Sequence, residues 1–312
     1  MTDRLRASTM AGTSEAAATA TVGLVTCAQF PDLTPDDRLL AKSLRDRGID
    51  ARPVQWDSEG GWDAFDALAI RSTWDYFERP DEFAAWLDER AATGPPLWNP
   101  PAVLRWNMQK GYLRDLAAAG IPTVETHWVE RGSDAELAQV LAERGWDHAV
   151  VKPAISGGAW KTAPVRRADL AEHDAMLRDL IAGHDVMVQP FLTQIVDEGE
   201  WSVIFFGGTY SSTLLKRPAS GDYRVQERHG GTTEVIAEPP AGLVEQAAAV
   251  LPHAPGDLLY ARVDGVRDGD EFVLIELEVL EPYLFFGITP GSADRYAEAL
   301  AARIQRFGAP RG

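Results

Sequence analysis

At 312 residues, 45% hydrophobic and 25% charged, the chain has the composition of a globular protein with length for two or three subdomains. Its longest apolar runs, such as Leu68–Ile70 and Val203–Phe206, fall far short of the roughly 20 residues a membrane-spanning helix requires. A net charge of −17, from 47 acidic against 30 basic residues, works against a nucleic-acid partner, and the single cysteine, Cys27, excludes an intramolecular disulfide. A cytoplasmic protein without membrane or nucleic-acid partners is therefore expected.

Residues 1–21 are rich in Ala, Thr and Ser and lack the apolar region of a secretory signal, which predicts a disordered tail; Met10 is an alternative start. Val22–Ala28 reads as a buried strand. Thr34-Pro35-Asp36-Asp37 then offers an N-cap, a proline at the first helical position and acids in the first turn. A helix should follow, with Leu39, Leu40 and Leu44 inward, closing at Gly48. Ala51–Trp56 and Phe65–Ile70 read as further strands, so strand and helix alternate as in a parallel α/β layer. Pro95-Pro96 and Pro100-Pro101 mark its end, and the first unit is assigned residues 22–105.

The second unit, residues 106–189, is predicted to open with a helix over Met108–Ala119, stopped by Gly120 and Pro122, before a strand at Val124–Val129. Ser133-Asp134-Ala135-Glu136 has capping-box spacing and predicts another helix. His148–Pro153 reads as a strand, Ala154–Lys161 as a glycine-containing loop and Thr162–Val165 as a return strand. The third unit, residues 190–312, is dominated by strands: Glu200–Phe206, Tyr210–Lys216, Leu259–Val266 and Glu271–Leu280, after Val186–Phe191 at the boundary. Gly207-Gly208 and Asp268-Gly269-Asp270 suit hairpin turns, and helices are expected near Leu243–Leu251 and Asp294–Phe307. The fold class is thus α/β followed by two α+β lobes.

The sharpest chemical signal is Glu276-Leu277-Glu278 inside an apolar strand. Side chains alternate with period two, so both carboxylates emerge on one face, with Cα atoms roughly 7 Å apart. Asp264, on the preceding hairpin strand, can join them in an all-oxygen cluster suited to Mg²⁺. The plainer alternative is a solvated acidic face bonded to arginines such as Arg262. Lys152 ends an apolar strand and precedes Ser156-Gly157-Gly158, where small residues let backbone N–H groups approach phosphate oxygens. The Gly-Lys-Ser/Thr ending of a Walker loop is absent, and a simple hairpin is the plainer alternative.

In this order, the segments resemble an ATP-grasp enzyme over about Val22–Phe307. The resemblance is to the group that includes the cyclo-ligase closing O-ureido-D-serine to D-cycloserine and, more distantly, to glutathione synthetase and RimK-like ligases. It implies an N-terminal parallel α/β domain and two lobes gripping ATP, with two Mg²⁺ ions. Lys110 and Lys152 match the nucleotide lysines, Gly157 and Gly158 the phosphate loop, and Gln189-Pro190-Phe191-Leu192 the inter-lobe linker that reads adenine. Glu200 matches the ribose acid, with Glu198 close enough to be confused with it. Lys216 and Arg224 match the cationic stretch, Arg224 and Lys152 being implied as catalytic. Asp264, Glu276 and Glu278 match the metal ligands, although many relatives have Asn at the third position.

The activity implied is an ATP-dependent carboxylate–amine ligation through an acyl phosphate, between two small molecules or within one. A small-molecule kinase and a non-catalytic nucleotide-binding module are the alternatives. Arg71-Ser72-Thr73-Trp74-Asp75 follows a strand at its carboxyl end, where open α/β layers bind ligands, and is the expected substrate segment, Arg71 taking a carboxylate. A helix N-cap followed by core aromatics is the plainer alternative. Some relatives dimerise, so a homodimer stays open.

Overall fold

The computed structural model describes residues 20–307. Most of the expected tail, together with Met10, lies outside them, but Ala20 and Thr21 already belong to the first strand.

The N-terminal layer is a parallel sheet of order β2-β1-β3-β4. It is built from β1 (Ala20–Thr26), α1 (Pro35–Arg45), β2 (Ile49–Gln55), β3 (Ala67–Ser72), α2 (Pro80–Ala92), β4 (Leu97–Trp98) and α3 (Pro101–Asn107). The start of α1 follows from local chemistry: Thr34 adopts an extended conformation and its hydroxyl accepts the Asp37 N–H, while Pro35 supplies a preset first position. Leu40 and Leu44 are buried as the pattern predicts, but Leu39 is exposed, because the core of α1 is a narrower stripe than three leucines suggest.

The central lobe holds α4 (Tyr112–Ala118), β5 (His127–Val129), α5 (Leu137–Arg144), β6 (His148–Pro153), β7 (Ala163–Arg166), α6 (Leu170–Gly183) and β8 (Val186–Pro190), with an antiparallel sheet of order β5-β8-β6-β7. Two expectations change here. The helix predicted over 108–119 starts late, as α4 at Tyr112; residues 108–111 separate it from α3, which ends at Asn107, and Lys110 among them donates its backbone N–H to the Ala154 carbonyl. The Ser133 capping box is not formed, since α5 starts at Leu137 after Glu136, which makes no side-chain cap bond.

The C-terminal lobe contains α7 (Thr193–Asp197), β9 (Glu200–Phe206), β10 (Thr209–Arg217), β11 (Thr232–Ile236), α8 (Leu243–Ala248), β12 (Tyr260–Asp268), β13 (Glu271–Glu278) and α9 (Ser292–Phe307), in an antiparallel sheet of order β11-β10-β9-β12-β13. After Glu200, β9 is buried along its length because both faces are covered. Ile204 and Phe206 join a core shared with Leu24, Leu40 and Tyr296, which welds the last lobe to the first. Trp201, Val203 and Phe205 face a second core with Tyr112, Leu243 and Leu277. Burying a leucine- or phenylalanine-sized side chain contributes about 1.5–3 kcal/mol, so these two faces fix how the lobes sit.

Candidate active site

A cavity of about 810 Å³ opens among the three sheets. Its polar wall is written into strand register. Lys216 on β10 lies opposite Glu200 on β9. Ser202, Asp264 and Glu276 line up across β9, β12 and β13, and Arg262 lies opposite Glu278. Between Asp264 and Gly265 the register shifts: Asp264 pairs with Glu276 but Gly265 with Leu274, so Ile275 is an extra residue in β13. Both Ile275 and Glu276 consequently line the cavity, although they are neighbours in sequence. Gly265 is required there, since a Cβ would meet the Phe272 ring at 2.4 Å and the Val273 carbonyl oxygen at 2.6 Å.

Each carboxylate on this wall has a cation. Arg262 donates to Asp264 Oδ2 at 2.8 Å and also pairs with Glu278. Lys110 Nζ is 3.0 Å from Glu276 and donates to the Ser156 carbonyl at 2.8 Å. Lys216 pairs with Glu200 and stands 3.6 Å from Asp264. Burial pushes the Asp264 carboxyl up, but the Arg262 guanidinium and the Lys216 ammonium outweigh it and hold it below the usual range. Glu278 goes the other way, to about 8, because burial and the nearby Glu276 and Asp264 charges exceed what Arg262 offsets. The arginine pairing anticipated as the alternative is thus present, and it coexists with a cavity-facing acid row.

The donor set Asp264, Glu276 and Glu278 is all hard oxygen, which suits Mg²⁺. Among the described residues no three His, Cys, Asp or Glu side chains form a ready-made metal cage. A Mg²⁺ ion held by these oxygens would take its remaining ligands from phosphate, the usual arrangement for Mg²⁺ with a nucleotide.

Opposite chemistry lines the other walls. Burial lowers the Lys152 ammonium to about 8, Lys110 adding to the effect and Glu276 opposing it, and among the described residues that ammonium makes no ion pair. Gly157 and Gly158 pack tightly: a Cβ would meet the Phe77 ring at 2.9 Å and the Arg228 guanidinium at 2.6 Å respectively, and Gly158 has φ +54°. Phe191 stacks on His148, with centroids 3.9 Å apart, and its backbone N–H bonds the His148 carbonyl at 3.0 Å. Gln189, Pro190 and Leu192 line the cavity beside it. Arg224 also lines it, held by Asp222 at 2.7 Å. The two acids differ in position: Glu200 faces the cavity, whereas Glu198 pairs with Arg267 at 3.0 Å.

The expected substrate segment divides. Trp74 lines the cavity, but Arg71, Ser72, Thr73 and Asp75 do not. Arg71 is 1% exposed; it donates to Asp37 at 2.8 Å and to the Pro282 carbonyl at 3.0 Å, and it lies among the rings of Tyr260, Phe286 and Tyr296. Ser72 bonds Thr26, Thr73 is fully buried, and Asp75 accepts from Trp56 Nε1 at 2.8 Å. A free carboxylate cannot reach an arginine so enclosed, which removes Arg71 as its direct partner. Sequence reasoning missed Glu281, Tyr283, Phe285, Phe77 and Trp160, all on the cavity wall. The available signal was Glu281-Pro282-Tyr283, directly beyond the acidic strand.

Comparison with known proteins bears on this geometry. The family model described as the N-terminal domain of D-cycloserine synthetase DcsG matches residues 22–99. The cycloserine biosynthesis protein DcsG of Streptomyces lavendulae is 32% identical over 302 residues, covering 91% of this chain and 99% of the relative. A crystal structure of D-cycloserine synthetase DcsG superposes with a TM-score of 0.81 at 29% identity, covering 91% of this chain and 99% of that one. A RimK domain ATP-grasp protein from Sphaerobacter thermophilus shares the fold, with a TM-score of 0.66 at 22% identity, over 90% of this chain and 100% of that one. The chain belongs to the DcsG family of ATP-grasp ligases, enzymes that form a carbon–nitrogen bond with release of ADP.

Proposed function

We propose that the cavity binds ATP with Mg²⁺, activates a small amino-acid-like carboxylate as an acyl phosphate, and lets an amine of the same or a second molecule displace phosphate. The observation that carries this is the meeting of Lys110, Lys152, Glu200, Lys216, Asp264, Glu276 and Glu278 around one cavity. Asp264, Glu276 and Glu278 would hold two Mg²⁺ ions, which neutralise the triphosphate when bound.

The chain's own residues do the rest. Phe191 and Leu192 offer backbone groups to the adenine edge, and Glu200, fixed by Lys216, accepts from ribose hydroxyls. Lys110 and Lys152 place positive charge where the transferred phosphoryl group gathers negative charge, and Arg224 adds a planar donor. The glycine loop, backed by Phe77 and Arg228, excludes water that would hydrolyse an acyl phosphate. Cyclisation of an O-ureido-D-serine-like substrate is the form of this reaction that the DcsG relatives support, since their names record cycloserine biosynthesis.

The test is phosphate release from ATP and Mg²⁺ across amino acids, O-ureido-D-serine and simple amines, alone and in pairs, with mass spectrometry of the products. ADP and phosphate accompanied by a new amide or ring is the expected outcome. A stable phosphorylated small molecule would instead show that the acyl group is never passed to nitrogen.

A further inference from the structure

Assigning the nucleotide leaves one stretch of cavity wall without a role: Phe30, Trp74, Tyr283, Phe285 and the carboxylate of Glu281. The rings form a continuous series, with centroids 5.2 Å apart for Phe30 and Trp74, 6.1 Å for Trp74 and Tyr283, and 4.7 Å for Tyr283 and Phe285. The Glu281 backbone stands beside them, since Trp74 Nε1 donates to its main-chain carbonyl at 3.0 Å. Its side chain reaches toward the glycine loop, Oε1 lying 4.0 Å from where a Cβ on Gly157 would sit. Apart from its own backbone N–H, the carboxylate makes no hydrogen bond or ion pair with another described residue.

We infer that Glu281, on the cavity wall beside the glycine loop, is the subsite for a positively charged amino group of the substrate; the assignment rests on the ligase reading of the same cavity. Burial raises the Glu281 carboxyl to about 7 against the pull of Lys110; its ionised form is an acceptor without donors, so a cationic N–H group satisfies and stabilises it and a second carboxylate is repelled. A zwitterionic amino acid is thereby oriented, its ammonium at Glu281 and its own carboxylate turned toward Lys110, Lys152 and Arg224.

The subsite is held before ligand arrives. Trp74 fixes the Glu281 carbonyl, Arg71 fixes the Pro282 carbonyl, and Asp36 accepts the backbone N–H groups of Phe286 and Gly287 at 3.0 and 2.8 Å. The segment that looked like a carboxylate site in sequence thus acts at one remove, by pinning the loop that presents Glu281. Preset geometry of this kind lowers the ordering cost of binding.

The experiment measures steady-state ADP release by the full-length protein with D-serine, D-cycloserine and O-ureido-D-serine, each paired with the counterpart whose amino group is replaced by hydrogen. In the wild type, whichever member drives ADP release should lose that effect in its desamino form. Glu281→Gln, which keeps volume, should raise KM for that member about 10–100-fold, while KM for ATP stays within about twofold and reports an intact nucleotide site. Glu281→Asp should fall between. An unchanged KM in Glu281→Gln, or a desamino counterpart that works equally well, overturns the subsite and leaves the ligase reading standing. No ADP release with any member overturns the ligase reading and the subsite with it.

Discussion

Two walls of the same cavity are built by different means. The acidic wall comes from β9, β10, β12 and β13, whose register dictates that Asp264, Glu276, Glu278 and Lys216 face inward. The aromatic wall comes from the segments following β1, β3 and β13, where chain direction is set by tertiary contacts such as Arg71 to Asp37 and Pro282. Strand periodicity transmits side-chain direction from sequence, because each residue's face follows from its neighbour's. A loop carries no such rule; and even Arg71, near the end of β3, is a residue type suited to a carboxylate substrate that the chain uses on its own Asp37.

The largest expected effect is at the acidic wall. Glu276→Gln removes a cavity-facing charge but keeps volume, and should cut ATP turnover by on the order of a thousand-fold with an unchanged circular-dichroism spectrum. Near-normal turnover would make the acid row a structural feature and collapse the contrast between the walls. Next comes Arg71→Ala, which leaves Asp37 buried without its partner and should lower stability by about 3 kcal/mol in urea unfolding. A variant that is stable but has a selectively raised substrate KM would return Arg71 to the ligand and refute its structural role.

Gly158→Ala should cost about 1–2 kcal/mol of loop conformation, through positive φ and the Arg228 contact, and should appear as slower turnover. The smallest effect is in pH. The Lys152 ammonium is present below about 8 and lost above it, so KM for ATP should rise as pH passes through about 8, and Lys152→Arg should flatten that rise. The folding contribution has the opposite trend: folded Lys152 gives up its proton before the unfolded chain does, so stability gains with pH between about 8 and the ordinary lysine value. A flat KM profile in the wild type would place Lys152 away from the phosphates.

The strands at the site were readable because burial on both faces or one face leaves a period in the sequence; His148–Pro153 and Glu200–Phe206 are observed with the bounds expected. Lys110, Lys152, Gly157, Gly158, Glu200 and Lys216, singled out by the order of their motifs, all line the one cavity. Less readable was the break at residues 108–111, where Lys110 satisfies its backbone through Ala154, a partner distant in sequence. The helix Pro80–Ala92 also escaped, although Pro80 with Asp81 and Glu82 carried a start signal. Glu281 lay beyond the end of the periodic run, and only folding brings it beside Trp74.

The extra residue in β13 has a consequence for how this chain can be edited. Upstream of Ile275, Phe272 and Leu274 are buried; downstream, Leu277 is buried while Glu276 and Glu278 face the cavity. The two halves of the strand are out of phase, and Ile275 is the join. Deleting that one residue would leave every acid and every strand pairing in place and would put Phe272, Leu274 and Leu277 on one regularly alternating face with Glu276 and Glu278 on the other, losing only the local twist that the bulge adds. In this family member, then, the strand can lose its bulge residue without inverting the acid row, whereas alignments that slide a gap across 274–276 would misassign the residues that matter most.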